Sequence, residues 1–235
     1  MIMKLQISII LPTYNEKDNI VRLVETIKKL NLEQTFEILI IDDNSPDGTY
    51  QFSKDNLHNE KNVKIVLRKN IRGLAFSIKE GIEKSTGEHV IVMDTDFTHD
   101  PILIKKMISL RSEYEIISGS RYIPGGSMEN QLHGKLSYYY NIMLKFILKT
   151  NINDNLGGYF LIKRDLLNKL EFDKIFYGYG EYFFRLLYFS KIKNAKIIEI
   201  PALYKQRLYG RSKSNFLAML FKYFYAAVKL RFFKN

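Results

Sequence analysis

Cysteine is absent from the 235 residues, which rules out a disulfide framework and any thiolate metal site. No uninterrupted apolar stretch reaches the roughly 18 residues that a spanning helix needs, so no membrane-crossing segment is expected. The N-terminus lacks a basic flank leading into a long apolar segment, and no signal peptide is expected either. Low-complexity tracts and internal repeats are also missing. With 46% apolar residues the composition is that of a folded chain, long enough for one large domain. Acidic residues are scarce in one half only. Residues 1–118 carry 16 Lys+Arg against 18 Asp+Glu, whereas residues 119–235 carry 20 against 7. The whole charge excess of +11 therefore lies in the second half, and from Lys205 onward no acidic residue occurs. That asymmetry points to a polyanionic partner: phosphate groups, an anionic membrane surface or nucleic acid.

What is present is most informative at Val90-Ile91-Val92-Met93, an apolar run that ends in Asp94-Thr95-Asp96. In an extended chain, positions i and i+2 face the same side, so both carboxylates can meet one cation. Without an ion they would repel, and one would take up a proton. Mg²⁺ or Mn²⁺ between them keeps both ionised and retains open positions for phosphate oxygens. The alternative is an acidic turn capping the next helix, since Asp100-Pro101 and a helical spacing of Ile102, Ile104 and Ile108 follow.

Other segments supply the frame. Ile7 to Leu11 reads as a buried strand stopped by Pro12, and Ile20 to Leu30 as an amphipathic helix. Phe36 to Ile41, Val63 to Leu67, Val90 to Met93 and Glu115 to Ser118 read as further strands alternating with helical segments. This order implies right-handed βαβ units and a mostly parallel sheet with helices on both faces. Ligands of such sheets sit beyond the carboxyl ends of the strands. Pro12-Thr13-Tyr14-Asn15-Glu16, Asp42-Asp43 and Asp94-Thr95-Asp96 all fall on that rim. In the second half, Gly119 to Gly134 is loop-like and Leu136 to Leu148 is apolar and aromatic. Tyr159 to Lys163 reads as a strand, Phe176 to Phe189 as an aromatic helix, Lys196 to Ile200 as a strand stopped by Pro201, and Phe216 to Phe233 as a terminal helix.

These motifs occur in a recognisable order: Pro12 to Glu16, Asp42-Asp43-Asn44-Ser45-Pro46-Asp47-Gly48-Thr49, Gly73-Leu74-Ala75, then Asp94 to Asp96 with His99 and Pro101. They continue through Gly119-Ser120-Arg121-Tyr122, Asp154 to Phe160, Glu199-Ile200-Pro201, and Arg207, Gly210, Ser212 and Lys213. The series resembles glycosyltransferase family 2, in particular its polyprenyl-phosphate glycosyltransferases of the dolichol-phosphate mannose synthase type. The resemblance implies an α/β GT-A fold with a mostly parallel, mixed sheet. It implies a domain over 1–215, with residues 1–118 as nucleotide and metal half and 119–215 as acceptor half, followed by an amphipathic membrane-interface helix at 216–235. It further implies a nucleotide-sugar donor, with GDP-mannose favoured, a divalent cation (Mg²⁺ or Mn²⁺), a polyprenyl-phosphate acceptor and inversion at the anomeric carbon. Carried over by position, Pro12, Tyr14 and Glu16 line the nucleoside pocket, and either Asp42 or Asp43 recognises base or ribose. Asp94, Thr95 and Asp96 surround the diphosphate, with Asp94 and Asp96 on the metal. Arg121, Arg207, Ser212 and Lys213 contact phosphates. Three positions depart from the family pattern: Thr98 replaces a common Gln, Gly157-Gly158 a frequent Ser-Gly, and only His133 and Lys135 stand where a loop Arg is usual.

The chemistry is consistent without the resemblance. A diphosphate leaving group develops negative charge, which a metal and Arg or Lys stabilise. A phosphate monoester, with a second pKa near ~6, is already ionised at neutral pH and needs no general base. Glu181 either pairs with Arg185 at i+4 or reaches sugar or metal. The helices over 136–149 and 216–233 read as interfacial, Lys222 and Lys229 sharing one face, unless they pack on the sheet with their lysines in water. A peripheral enzyme on the cytoplasmic side of a membrane is expected, with a small membrane partner or self-association as further expectations. Two readings compete: the same fold acting on a polysaccharide or protein acceptor, and a basic nucleic-acid-binding module. No usual nucleic-acid motif is present, and no nucleic-acid partner is expected.

Overall fold

Strands that must be buried on both faces need continuous apolar runs, and the first half of the chain is built on four of them. The computed structural model describes residues 5–69, 71–205 and 216–233. Strands β1 (Ile7–Thr13), β2 (Phe36–Asp42), β3 (Val63–Leu67) and β4 (His89–Val92) alternate with helices α1 (Lys17–Lys28), α2 (Thr49–Leu57) and α3 (Leu74–Lys84). Ile7, Ile9, Leu11, Ile38, Ile40 and Ile91 pack on one face of the sheet, and Ile10, Leu39, Ile41, Val90 and Val92 on the other. All are buried, and each such side chain contributes about 1.5–3 kcal/mol relative to an exposed one.

The second half comprises α4 (Leu103–Leu110), β5 (Ile116–Ser120), β6 (Ser127–Met128), α5 (Gln131–Leu148), β7 (Phe160–Lys163), short α6 (Arg164–Leu167) and α7 (Phe172–Ile175), α8 (Glu181–Ile192), β8 (Ile197–Pro201), β9 (Leu203–Tyr204) and α9 (Phe216–Phe232). The sheet order is β3-β2-β1-β4-β7-β5-β8, with β7 antiparallel to both neighbours and every other pair parallel. Helices α1, α2 and α4 cover one face, and α3, α6, α7 and α8 the other. Helices α5 and α9 do not lie on the sheet. They pack on the outer side of α8 through Leu144, Leu148, Phe184, Tyr188, Tyr223 and Ala227.

Three boundaries differ from expectation. Pro12 does not stop β1, which runs on to Thr13 with Pro12 opposite Ile41. Ile10 accepts from the Met93 N–H and Thr13 from the Asp43 N–H, so Pro12 faces the β4 side beyond the last β1–β4 pair, where its missing donor breaks no ladder bond. Gly119 and Ser120 complete β5 instead of opening a loop, because β8 continues alongside them to Pro201. Helix α8 starts at Glu181 and not at Phe176. Gly178, at φ +78°, turns the chain first, and a Cβ there would overlap the Glu181 carboxylate.

Candidate active site

Parallel strands β1, β2 and β4 end on one rim, and the loops that leave them converge there. Side chains of the Asp42–Thr49 segment staple the first two loops together. Asp42 accepts the Ser45 N–H at 2.9 Å and its hydroxyl at 2.5 Å, and Ser45 Oγ accepts the Asn15 N–H at 2.9 Å. Asp47 accepts the Thr49 N–H at 2.9 Å, and Thr49 Oγ1 accepts the Glu16 N–H at 3.1 Å. Asn15, Asn44 and Gly48 adopt positive φ, which Asn and Gly tolerate best. The segment thus sets the position of Tyr14 to Glu16.

These loops, with α3, the turn before α8 and α9, enclose a cavity of about 670 Å³. Pro12, Tyr14, Glu16, Asp43, Asp94, Thr95 and Asp96 line it, together with Thr13, Arg72, Gly73, Leu74, Phe76, Ser77, Gly178, Tyr179 and Lys222. Asp42 is not among the lining residues: it is fully buried at the end of β2, and burial raises its pKa even though Ser45 opposes the shift. Of the two adjacent carboxylates, Asp43 is the one at the cavity. Arg68 holds its Oδ1, and the Gly73 N–H donates to Oδ2 at 2.7 Å. Arg68 is itself buried and also binds Glu80 at 2.9 Å and the Ser77 hydroxyl at 3.1 Å. Arg72 lies 4.5 Å from the Tyr14 ring centre and donates to its hydroxyl at 2.6 Å.

Asp94 and Asp96 reach the cavity from a bend, not from an extended strand, because β4 ends at Val92 and Phe97 turns the chain at φ +63°. Asp96 is 3% exposed, and its Oδ1 accepts the Thr98 N–H at 3.1 Å and hydroxyl at 2.7 Å. The Asp94 side chain is 45% exposed. His99 supports the bend from below: its Nδ1 accepts the Asp94 N–H at 2.9 Å, and its ring stacks on Tyr159 at 4.7 Å. Burial lowers the His99 pKa against the pull of Asp94 and Asp96, so the ring is neutral with its proton on Nε2. The donor set suits a hard divalent cation: two carboxylates and no soft ligand. Among the described residues no group of three His, Cys, Asp or Glu side chains could hold an ion, so a cation here would complete its shell with ligand oxygens and water.

Arg121 is not at the cavity. Its Nε and Nη2 each bind Asp154 at 2.8 Å, and Tyr122 and Tyr204 flank the guanidinium at 4.9 and 4.8 Å. Burial would lower its pKa, but the Asp154 carboxylate raises it above the usual arginine range. The guanidinium expected to contact phosphates is engaged in a buried bidentate ion pair. Arg207, Ser212 and Lys213 lie outside the described residues, as does the His133 side chain. Lys135 lines a second hollow of about 410 Å³ with Tyr122, Met128, Tyr138 and Tyr139. Glu181 pairs with Arg185 at 3.6 Å, as one alternative held, and with Lys222 at 3.3 Å. Sequence reasoning missed Arg68, Arg72 and Tyr179. Arg68 and Arg72 follow the carboxyl end of β3, and that position on the same rim was the available signal.

Residues 8–171 match the family model described as Glycosyl transferase family 2. The chain belongs to glycosyl transferase family 2. Among curated proteins of this kind it is 31% identical over 216 residues to a dolichol-phosphate mannosyltransferase of Pyrococcus furiosus, covering 89% of this chain and 59% of that protein. It is 29% identical over 226 residues to a polyprenol monophosphomannose synthase of Mycolicibacterium smegmatis, covering 91% and 84%. The family 2 chain thus spans less than two thirds of the Pyrococcus relative's length. Among solved structures, glucosyl-3-phosphoglycerate synthase from Mycobacterium tuberculosis, in complex with Mn²⁺, UDP and glucosyl-3-phosphoglycerate, matches with a TM-score of 0.73 at 16% identity, over 96% of this chain and 80% of that one. That likeness concerns the fold, which is the GT-A arrangement expected from the sequence.

Proposed function

We propose that this family 2 protein transfers a hexose from a nucleotide sugar to a polyprenyl phosphate, with mannose as the sugar in keeping with the names of its relatives and GDP-mannose as the donor that the family resemblance favours. The observation that carries the reading is the convergence of Tyr14, Glu16, Asp43, Asp94 and Asp96 in one rim cavity. Tyr14, Pro12 and Glu16 take the nucleoside end, with Asp43, oriented by Arg68 and Gly73, available to base or ribose hydroxyls. Asp94 and Asp96 would hold Mg²⁺ or Mn²⁺, which would neutralise charge on the diphosphate. Thr98 fixes the Asp96 carboxylate for this task, and Thr95 lies between the two. Arg207, Ser212 and Lys213 are assigned to the phosphates on the family resemblance. An acceptor phosphate oxygen attacks the anomeric carbon as the bond to the β-phosphate oxygen breaks. The nucleoside diphosphate leaves with the bonding electrons, and inversion results. No proton needs removing, since the monoester is ionised above its second pKa of ~6. Residues 1–118 serve nucleotide and metal, and residues 119–215 the acceptor side, where Lys135 in the second hollow is the described cation nearest the sequence position of the usual loop Arg.

The membrane side of the reading rests on two helices. Tyr139, Ile142 and Phe146 of α5 fall at i, i+3 and i+7 and are 69, 47 and 84% exposed. Phe221, Phe224, Tyr225 and Phe232 of α9 share a face in the same manner and are exposed. No described helix is long and apolar enough to cross a membrane. Aromatic rings beside Lys229 and Arg231 suit an anionic bilayer surface, which supports a peripheral enzyme on the cytoplasmic leaflet. The test is a panel of GDP- and UDP-sugars with Mn²⁺ or Mg²⁺, scored first by thermal shift and then by transfer to polyprenyl phosphate. A ligand of the native state adds about 2.7 kcal/mol of apparent stability at a hundred times its Kd. One donor should stand apart and support transfer; a panel in which no nucleotide sugar shifts the transition refutes the reading.

A further inference from the structure

The sequence assigns Lys222 to the polar face of a membrane-lying helix, beside Lys229. Instead, Lys222 lines the rim cavity. Tyr223 explains the orientation: its ring is buried, and its hydroxyl accepts the Gly180 N–H at 3.0 Å, which pins α9 to the turn ahead of α8. A Cβ at Gly180 would overlap that hydroxyl. The neighbouring Lys222 Nζ then lies 3.3 Å from Glu181 Oε1. Glu181 is 1% exposed, accepts the Tyr179 N–H at 2.9 Å through Oε2, and already faces Arg185 at 3.6 Å. One carboxylate therefore meets two cations. The Lys222 side chain keeps 58% of its surface open, so the ammonium has room for a further ligand.

Charge balance says what that ligand is. Asp94 and Asp96 offset a divalent cation between them, while the departing nucleoside diphosphate carries about −3. Among the described residues the cations lining the cavity are Arg72, bound to Tyr14, and Lys222. We propose, on the basis of the glycosyl-transfer reading above, that the Lys222 ammonium contacts a phosphate oxygen of a substrate in this cavity, with Glu181 as its positioning residue. The same contact serves either the donor diphosphate or the acceptor phosphate. Because Lys222 sits on the helix with the exposed aromatic face, the contact also ties the cavity wall to that face.

The experiment compares wild type, Lys222→Ala, Lys222→Arg and, as control, Lys106→Ala on the exposed side of α4, all as full chain. GDP and UDP affinities are measured by calorimetry with Mn²⁺, beside GMP and UMP, and transfer kinetics follow with polyprenyl phosphate. A donor contact predicts that Lys222→Ala loses about ten- to a hundredfold in diphosphate affinity, the worth of one charged hydrogen bond. Lys222→Arg should recover most of it, with monophosphate affinity and melting temperature unchanged. An acceptor contact predicts unchanged diphosphate affinity and a comparable rise in KM for the lipid phosphate, again relieved by Arg. The proposal is overturned if Lys222→Ala matches Lys106→Ala in every constant, or if Ala and Arg variants lose affinity for all ligands alike together with melting temperature. A wild type that binds neither diphosphate refutes the glycosyl-transfer reading itself.

Discussion

Replacing Arg121 with Met should cost folding stability before it costs anything at the cavity. The guanidinium and Asp154 are both buried, the latter completely, and two 2.8 Å bonds join them. Asp154 also accepts the Arg121 N–H at 3.0 Å and the Leu156 N–H at 3.3 Å, so the pair organises the chain after β5 as well. Removing one partner of a buried pair leaves an uncompensated charge and costs about 3–5 kcal/mol. Against a total stability of about 5–15 kcal/mol that is a large fraction. With a urea slope of about 3 kcal/mol per M, the unfolding midpoint should fall by about 1–1.7 M. Asp154→Asn should destabilise similarly. The double variant should lose less than the sum, with a coupling of about 1–3 kcal/mol. Urea titrations of the four proteins, followed by circular dichroism, give all the terms. If Arg121→Met abolishes transfer while its midpoint stays at the wild-type value, the side chain belongs to ligand binding and the structural reading of this pair is wrong.

Asp96→Ala should abolish transfer, while the wild-type rate should stay flat with pH above neutrality; a rate that climbs with a pKa near 8 or 9 would reveal a proton acceptor. Glu37 should make stability acid-sensitive. Burial pushes its pKa up, but Lys64, the Thr86 N–H and the Ser8 hydroxyl together hold it below the ordinary carboxylate value. Its stabilisation is therefore full above the unfolded pKa of about 4.3 and is lost as pH falls below it. Glu37→Gln should flatten that part of the stability profile in urea titrations from pH 6 to 3. Phe146→Ser with Phe221→Ser should weaken sedimentation with anionic vesicles at least tenfold and leave the melting temperature within a degree or two, since both rings are already exposed; unchanged sedimentation would remove α5 and α9 from the membrane.

Legibility from sequence followed the range of the interactions. The apolar runs of β1 to β4 and the polar clusters at their ends are local, so the parallel half and its rim could be read from neighbouring residues alone. The Asp42–Thr49 segment was readable as a motif, but its work is to bond Asn15 and Glu16 across 30 and 33 residues, and no local rule anticipates that. The choice between Asp42 and Asp43 was likewise set from afar, by Arg68 and Gly73. Pro12 misled because a proline stops a strand only where a neighbour needs its donor. Phe176 and Tyr177 carry helix-like apolar spacing, yet Gly178 turns the chain before α8 starts. Lys222 was the furthest from reach: its direction depends on Tyr223 docking against Gly180, a contact spanning 43 residues.

Mn²⁺ binding read by electron paramagnetic resonance, with and without GDP or UDP, addresses the acidic pair most directly. Wild type should take up one ion weakly alone and far more tightly with nucleoside diphosphate present, and Asp94→Asn and Asp96→Asn should each lose the nucleotide-dependent gain. Nucleotide binding that is indifferent to Mn²⁺, or undiminished in both variants, would contradict the account.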